Sequence, residues 1–135
     1  MNVRLNDKSA VYVPIESASD LVKARQEGRA LANQLGFSPG QATLIASVIS
    51  ELARNIVTYA RRGQIVLVTD GNSAVQIRAR DDGPGISDVT AAREPGYSTS
   101  SGLGLGLPGV RRIADAFDIT TGPGGTTVNV TIMRR

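Results

Sequence analysis

Cysteine and histidine are both absent from this 135-residue chain. Without cysteine there is no disulfide framework, thiolate zinc site, iron–sulfur cluster or thiol nucleophile. Without histidine the chain alone builds no Ser-His-Asp triad, no histidine metal cluster and no phosphohistidine. Tryptophan is also missing and aromatic residues make up only 4%, too few for the stacking platforms that hold single-stranded nucleic acid. The net charge of +3 is mild and is not gathered into the basic stripe of a nucleic-acid binder, so no nucleic-acid partner is expected. No apolar run approaches the roughly 18 residues of a membrane helix. The start, Met1-Asn2-Val3-Arg4-Leu5, lacks the apolar region of a signal peptide. The expectation is one cytoplasmic domain over residues 1–135 with no membrane contact. A chain of this size buries roughly two-thirds of its unfolded surface, enough to fold without cross-links.

What is abundant is glycine, and it is unevenly placed. Ten of the 15 glycines lie between Gly83 and Gly125, so a periodic first half gives way to a loop-rich second half; long loops in a compact domain are usually functional. In the first half Val11, Val13 and Ile15 alternate with Tyr12 and Pro14, the pattern of an edge strand. A first helix is predicted from Ser19 or Asp20 to Leu35, with Leu21, Ala24, Gly28, Leu31 and Leu35 on one face and Gly36 past its end. Ser38-Pro39-Gly40-Gln41 reads as the start of a second helix, with Ser38 as cap, Pro39 at the first position and Gln41 completing a capping box. It extends to about Ala60, with Ala42, Ile45, Ile49, Leu52 and Ile56 facing the core. Strands follow at Gln64–Asp70 and Ala74–Arg80, joined as an antiparallel hairpin by the turn residues Asp70-Gly71-Asn72-Ser73. A third helix is expected from Leu107 or Pro108 to near Phe117, then strands at Asp118–Thr121 and Thr126–Met133. The predicted fold class is α+β: a two-layer α/β sandwich with a mixed, mostly antiparallel sheet and its helices on one face.

Four groups of residues can carry chemistry. Glu51 and Asn55 are four apart, so they project from one face of the second helix. A carboxylate can take a proton from a hydroxyl, and an amide oxygen is a hard ligand suited to Mg²⁺; a solvated helix face is the plain alternative. Asp81-Asp82-Gly83-Pro84-Gly85-Ile86 follows a strand directly. Its glycines admit a ligand close to the backbone, and Asp81 can accept from an exocyclic amine such as that of adenine; a tight turn explains the same residues. Gly102-Leu103-Gly104-Leu105-Gly106-Leu107-Pro108-Gly109 opens a helix whose free N–H groups favour anions, phosphate first among them; the alternative is a hinge. Gly104, Gly106 and Gly109 spell G-x-G-x-x-G, but no strand precedes them, so a dinucleotide fold is not implied. A P-loop is excluded because no lysine follows Lys23, and the eukaryotic kinase pattern needs a histidine. Last, Gly124-Gly125-Thr126-Thr127 precedes the final strand, where a hairpin turn or a ligand contact would serve equally.

The order of these groups over about 75 residues resembles the Bergerat ATP-binding fold shared by gyrase, Hsp90, histidine kinases and MutL. More narrowly the chain is similar to the small bacterial serine kinases of the anti-sigma and switch-protein class. The stretches that carry this resemblance are Ile49-Ser50-Glu51-Leu52-Ala53-Arg54-Asn55-Ile56, Tyr97 through Arg112, and Leu21-Val22-Lys23-Ala24-Arg25-Gln26 leading to Gly36-Phe37. It extends over nearly the whole chain, and at this length no gyrase- or Hsp90-type transducer domain is expected. The resemblance implies ATP and Mg²⁺ as cofactors. Glu51 would be the general base and Asn55 the Mg²⁺ ligand. Asp81 would bind the adenine amino group, with Gly83 and Gly85 shaping that wall and Thr126 beside the adenine. The segment Gly102, Leu103, Gly104, Leu105 and Gly106 would wrap the phosphates, and Arg54, Arg93 or Arg111 would add charge. Pro123 stands where the family often has the first glycine of its last G-x-G-T box. The implied partners are a STAS-domain antagonist, whose serine is phosphorylated in a stressosome-like assembly, and a PP2C-type phosphatase that the released kinase activates. A sigma factor is the partner in the alternative reading, an anti-sigma factor with secondary kinase activity.

Overall fold

The alternation at the N-terminal end does form a strand, β1, over Ala10–Ile15. From it the computed structural model describes residues 10–60, 62–71, 73–83 and 106–135. Helix α1 spans Ala18–Gln34. Its start is locked by Asp20, whose carboxylate accepts from the backbone N–H of Glu16 at 2.9 Å and of Ser17 at 3.2 Å. The N–H groups of the N-cap residue Ser17 and of Glu16 before it are thereby satisfied. Helix α2 spans Pro39–Asn55 and continues as one π-helical turn over Ile56–Ala60. Then come β2 (Gly63–Asp70), β3 (Ala74–Asp81), α3 (Gly106–Ile113), β4 (Ala116–Gly122) and β5 (Gly125–Met133).

The strands form one sheet in the order β1-β2-β3-β5-β4. All four pairings are antiparallel, so the expected α+β two-layer class holds while its "mixed" sheet becomes a purely antiparallel one among the described residues. The period-2 pattern sets which face is buried. Val13 and Ile15, Ile65 and Leu67, Val75 and Ile77, and Val130 and Ile132 are buried together with Ile45, Ile49, Leu52 and Ile56 from the second helical segment. Each such side chain contributes about 1.5–3 kcal/mol by leaving water. The opposite face carries Gln76, Arg78 and Arg80; Arg78 Nε donates to Asn129 Oδ1 across the β3–β5 pair at 2.8 Å.

Three expectations are corrected. The third helix ends at Ile113 rather than near Phe117, and β4 starts at Ala116. Asp115 N–H already donates to Thr131 O at 2.9 Å, so ladder pairing with β5 captures residues that local preference leaves helical. The second helix is α-helical only to Asn55, and its last five residues are wound as a π turn. Finally, Ser38 Oγ does accept from Gln41 N–H at 3.1 Å, but the Gln41 side chain does not close the capping box. Its amide donates to Met133 O at 2.8 Å and accepts from Arg135 N–H at 3.1 Å, tying α2 to the end of β5. Among the described residues no helix is long and apolar enough to cross a membrane.

Candidate functional site

The last α-helical turn of α2 holds two polar groups that a stable core would not choose. Glu51 is only 1% exposed. It lies beside Leu52 and Ala53, both buried, because α2 is packed over more than a narrow apolar stripe. A buried carboxylate costs several kcal/mol unless it is paired. Arg54, one turn later, supplies a partner: its Nη1 donates to Glu51 Oε1 at 3.1 Å. Asn55 follows immediately. Its side-chain Oδ1 is buried and has no hydrogen-bond partner, the one such atom among the described residues. An acceptor left in this way costs about 1–3 kcal/mol and calls for a functional explanation or a bound ion. A hard cation is the guest that an unpaired amide oxygen suits, so Asn55 fits the expected Mg²⁺. The π turn then begins at Ile56, an irregularity common next to functional groups.

The second half of the site is built on the sheet. Ile15, Gly63, Asp81, Thr126 and Thr121 are mutual ladder partners, one from each strand. This row lies on the helix-facing side, since Asp81 continues Val75, Ile77 and Ala79, and Thr126 precedes Val128 and Val130 at the same parity. Asp81 Oδ1 accepts from Gly83 N–H at 2.9 Å, a bond that orients the carboxylate. Thr126 is 7% exposed, and its hydroxyl pairs with that of Thr121 at 2.8 Å.

Close backbone approaches join the two halves. A Cβ on Gly83 would stand 2.7 Å from Ala60 Cβ and 2.8 Å from Ala60 Cα, so the residue after the Asp81 turn is pressed against the π turn. Gly125 has φ +139°, and a Cβ there would collide with the Asp81 carbonyl oxygen. Gly125→Ala is therefore expected to lower stability by about 2–4 kcal/mol, from the backbone strain and the overlap together. Urea unfolding reads this directly; unchanged stability would mean that the approach is looser than described.

The predicted residues thus divide. Glu51 and Asn55 share one helical turn, and Asp81, Gly83 and Thr126 share one sheet end. Gly106 begins α3, is buried, and has φ +68°. Gly85, Gly102, Leu103, Gly104 and Leu105, with Arg93, lie outside the described residues. Pro123 and Gly124 form the two-residue connection between Gly122 and Gly125 of the β4–β5 hairpin. Two contributors were missed by sequence reasoning, Gly63 and Thr121. A glycine at the first position of an otherwise apolar strand was the signal for Gly63; nothing in the sequence singles out Thr121.

As chemistry, the arrangement offers a buried carboxylate as proton acceptor, an amide oxygen for a hard cation, and an oriented carboxylate for an amine. The model of the histidine kinase-like ATPase domain family matches residues 15–132. The chain is 47% identical over 126 residues to the serine/threonine-protein kinase RsbT of Bacillus subtilis, covering 91% of this chain and 93% of that one. It is 31% identical over 114 residues to the anti-sigma F factor of Halalkalibacterium halodurans, covering 78% of each. Among solved structures, a crystal structure of the RsbU and RsbW domains of a Mycobacterium tuberculosis protein superposes with a TM-score of 0.67 at 18% identity. It is matched over 93% of this chain and 32% of that one, a likeness of fold alone.

Proposed function

The chain belongs to the histidine kinase-like ATPase family, within it to the serine/threonine-protein kinases of the RsbT type, and from that premise we propose that it transfers the γ-phosphoryl group of ATP to a serine of a STAS-domain antagonist in a stressosome-like partner-switching assembly. The observation that carries this reading is the single turn of α2 in which a buried carboxylate, Glu51, precedes a buried, orphaned amide oxygen, Asn55 Oδ1.

Each residue has a role in the transfer. Asp81 Oδ2 accepts from the adenine amino group, while Gly83 N–H on Oδ1 keeps the carboxylate in that orientation. Thr126, directly across the ladder from Asp81, lines the same base, and Gly83 with Gly85 shapes the wall. Gly102, Leu103, Gly104, Leu105 and Gly106 surround the phosphates. Asn55 holds Mg²⁺, which when bound offsets the phosphate charge. Glu51 takes the proton from the substrate serine hydroxyl as its oxygen forms the new bond to the γ-phosphorus; the bond from that phosphorus to the β,γ-bridging oxygen breaks, and ADP leaves. Positioning and charge supply most of the acceleration in such a transfer.

The phosphate placed on the antagonist then adds about two negative charges to the docking surface. This weakens the complex and frees the kinase to bind and activate a PP2C-type phosphatase in the cytoplasm. The similarity to anti-sigma F factor favours one other reading, sequestration of a sigma factor with kinase activity secondary. A pull-down with a sigma factor, a STAS-domain protein and a PP2C-type phosphatase of the same genome separates them, alongside incubation of the STAS-domain protein with labelled ATP and Mg²⁺. Label is expected on a serine of the STAS protein and is expected to be absent when EDTA is present from the start of the reaction. A chain that labels no STAS protein but retains a sigma factor in a pull-down is an anti-sigma factor instead.

A further inference from the structure

Arg54 and Glu51 form a lopsided pair. The glutamate side chain is 2% exposed and the arginine side chain 40%, so the carboxylate is committed to the interior while the guanidinium reaches in from the surface. We propose that Arg54 is a positioning residue for phosphoryl transfer, which holds the Glu51 carboxylate in its reactive rotamer through Oε1 and acts on the chemistry only through that carboxylate. This rests on the reading of Glu51 as the proton acceptor.

The physical case is one of competing effects. A glutamate has three side-chain torsions, and a proton acceptor displaced by about 1 Å loses on the order of 100-fold in rate. The charge of a partly exposed ion pair, by contrast, contributes little. Here the guanidinium is partly in water, where solvent screens the charge, whereas the hydrogen bond at 3.1 Å fixes direction regardless of screening. Geometry therefore outweighs charge in this pair. The same bond directs the Arg54 guanidinium to Glu51 rather than to a phosphate. Arg111 is exposed in the last turn of α3 and, among the described residues, forms no ion pair.

The test is a double-substitution cycle on the full chain, with ATP affinity from calorimetry and transfer from labelled ATP to a STAS-domain protein. Arg54→Ala is expected to lower kcat by about 10- to 100-fold while the Kd for ATP changes less than about threefold. Arg54→Lys, which keeps a donor at the same place, is expected to recover a large part of that rate. Placed on Glu51→Gln, Arg54→Ala is expected to cost less than about threefold more, since a residue that acts through Glu51 has nothing left to act on. The proposal is overturned if Arg54→Ala leaves kcat at the wild-type value. It is equally overturned if Kd rises in step with the fall in kcat, or if the full loss persists without the Glu51 carboxylate. If Glu51→Gln alone transfers normally, the failure lies with the proton-acceptor reading instead. Should Arg54→Ala not fold, Arg54→Lys and Arg54→Gln carry the same comparison of rate against affinity.

Discussion

Glu51→Gln is expected to abolish phosphoryl transfer and spare the nucleotide. Loss of a general base costs typically 10²- to 10⁴-fold in rate, and kcat is expected to fall by about that much. The Kd for ATP should stay within about threefold, because Glu51 is assigned no contact with the bound nucleotide. Glutamine keeps the size of the buried side chain and an oxygen for Arg54 Nη1, which now approaches Glu51 Oε1 at 3.1 Å. It removes only the ability to take a proton. The exchange also relieves the desolvation of a buried charge, so thermal stability is expected to hold or rise slightly, as at other sites where function is kept at the expense of stability. Transfer assays and calorimetry on one preparation decide it. Equal losses of affinity and rate would mean that Glu51 organises the binding pocket and does not take the proton.

Asp81→Asn is expected to give the reverse pattern. Asparagine can still accept from Gly83 N–H through Oδ1, a bond of 2.9 Å in the native turn, so the local fold survives. The second oxygen is replaced by an NH₂ group, which then meets the adenine amino group donor to donor. A hydrogen bond to a charged group contributes about 1.5–3 kcal/mol, so ATP affinity is expected to fall roughly 10- to 150-fold. At saturating ATP the transfer rate should change little. Affinity measured by calorimetry against ADP and ATP is the check; a variant that binds as tightly as the native chain would place the base elsewhere. Together the two variants separate holding the nucleotide from moving its phosphate, and a single structural role for this region predicts no such separation.

The candidate site was legible because its two halves obey short-range rules. Spacing by four on a helix placed Glu51 and Asn55 together, and period-2 alternation carried Asp81 to the end of a strand. The core faces of β3 and β5 followed from the same alternation, as did the hairpin at Asp70-Gly71-Asn72-Ser73, where Asp70 and Ala74 are indeed ladder partners. Two of the misreadings have a common cause. Phe117 was assigned to a helix because its neighbours suit one, yet it pairs with Val130. Gln41 was assigned to a capping box because the spacing fits, yet its amide reaches Met133 and Arg135, more than ninety residues away. In each case a distant partner offered the backbone or side chain a better hydrogen bond than the local one.

From residue order alone come the class of fold, the elements and their buried faces, the exclusion of thiol and imidazole chemistry, and the chemical types gathered in the site. These depend on local periodicity and composition, which a linear string carries in full. Folding in three dimensions settled the rest. It buried Glu51 and supplied Arg54, orphaned Asn55 Oδ1 at the mouth of a π turn, set Thr126 across from Asp81, and pressed Gly83 against Ala60. Burial and pairing are properties of contacts between remote segments, and the cost of an unpaired polar atom exists only once those contacts have removed the water.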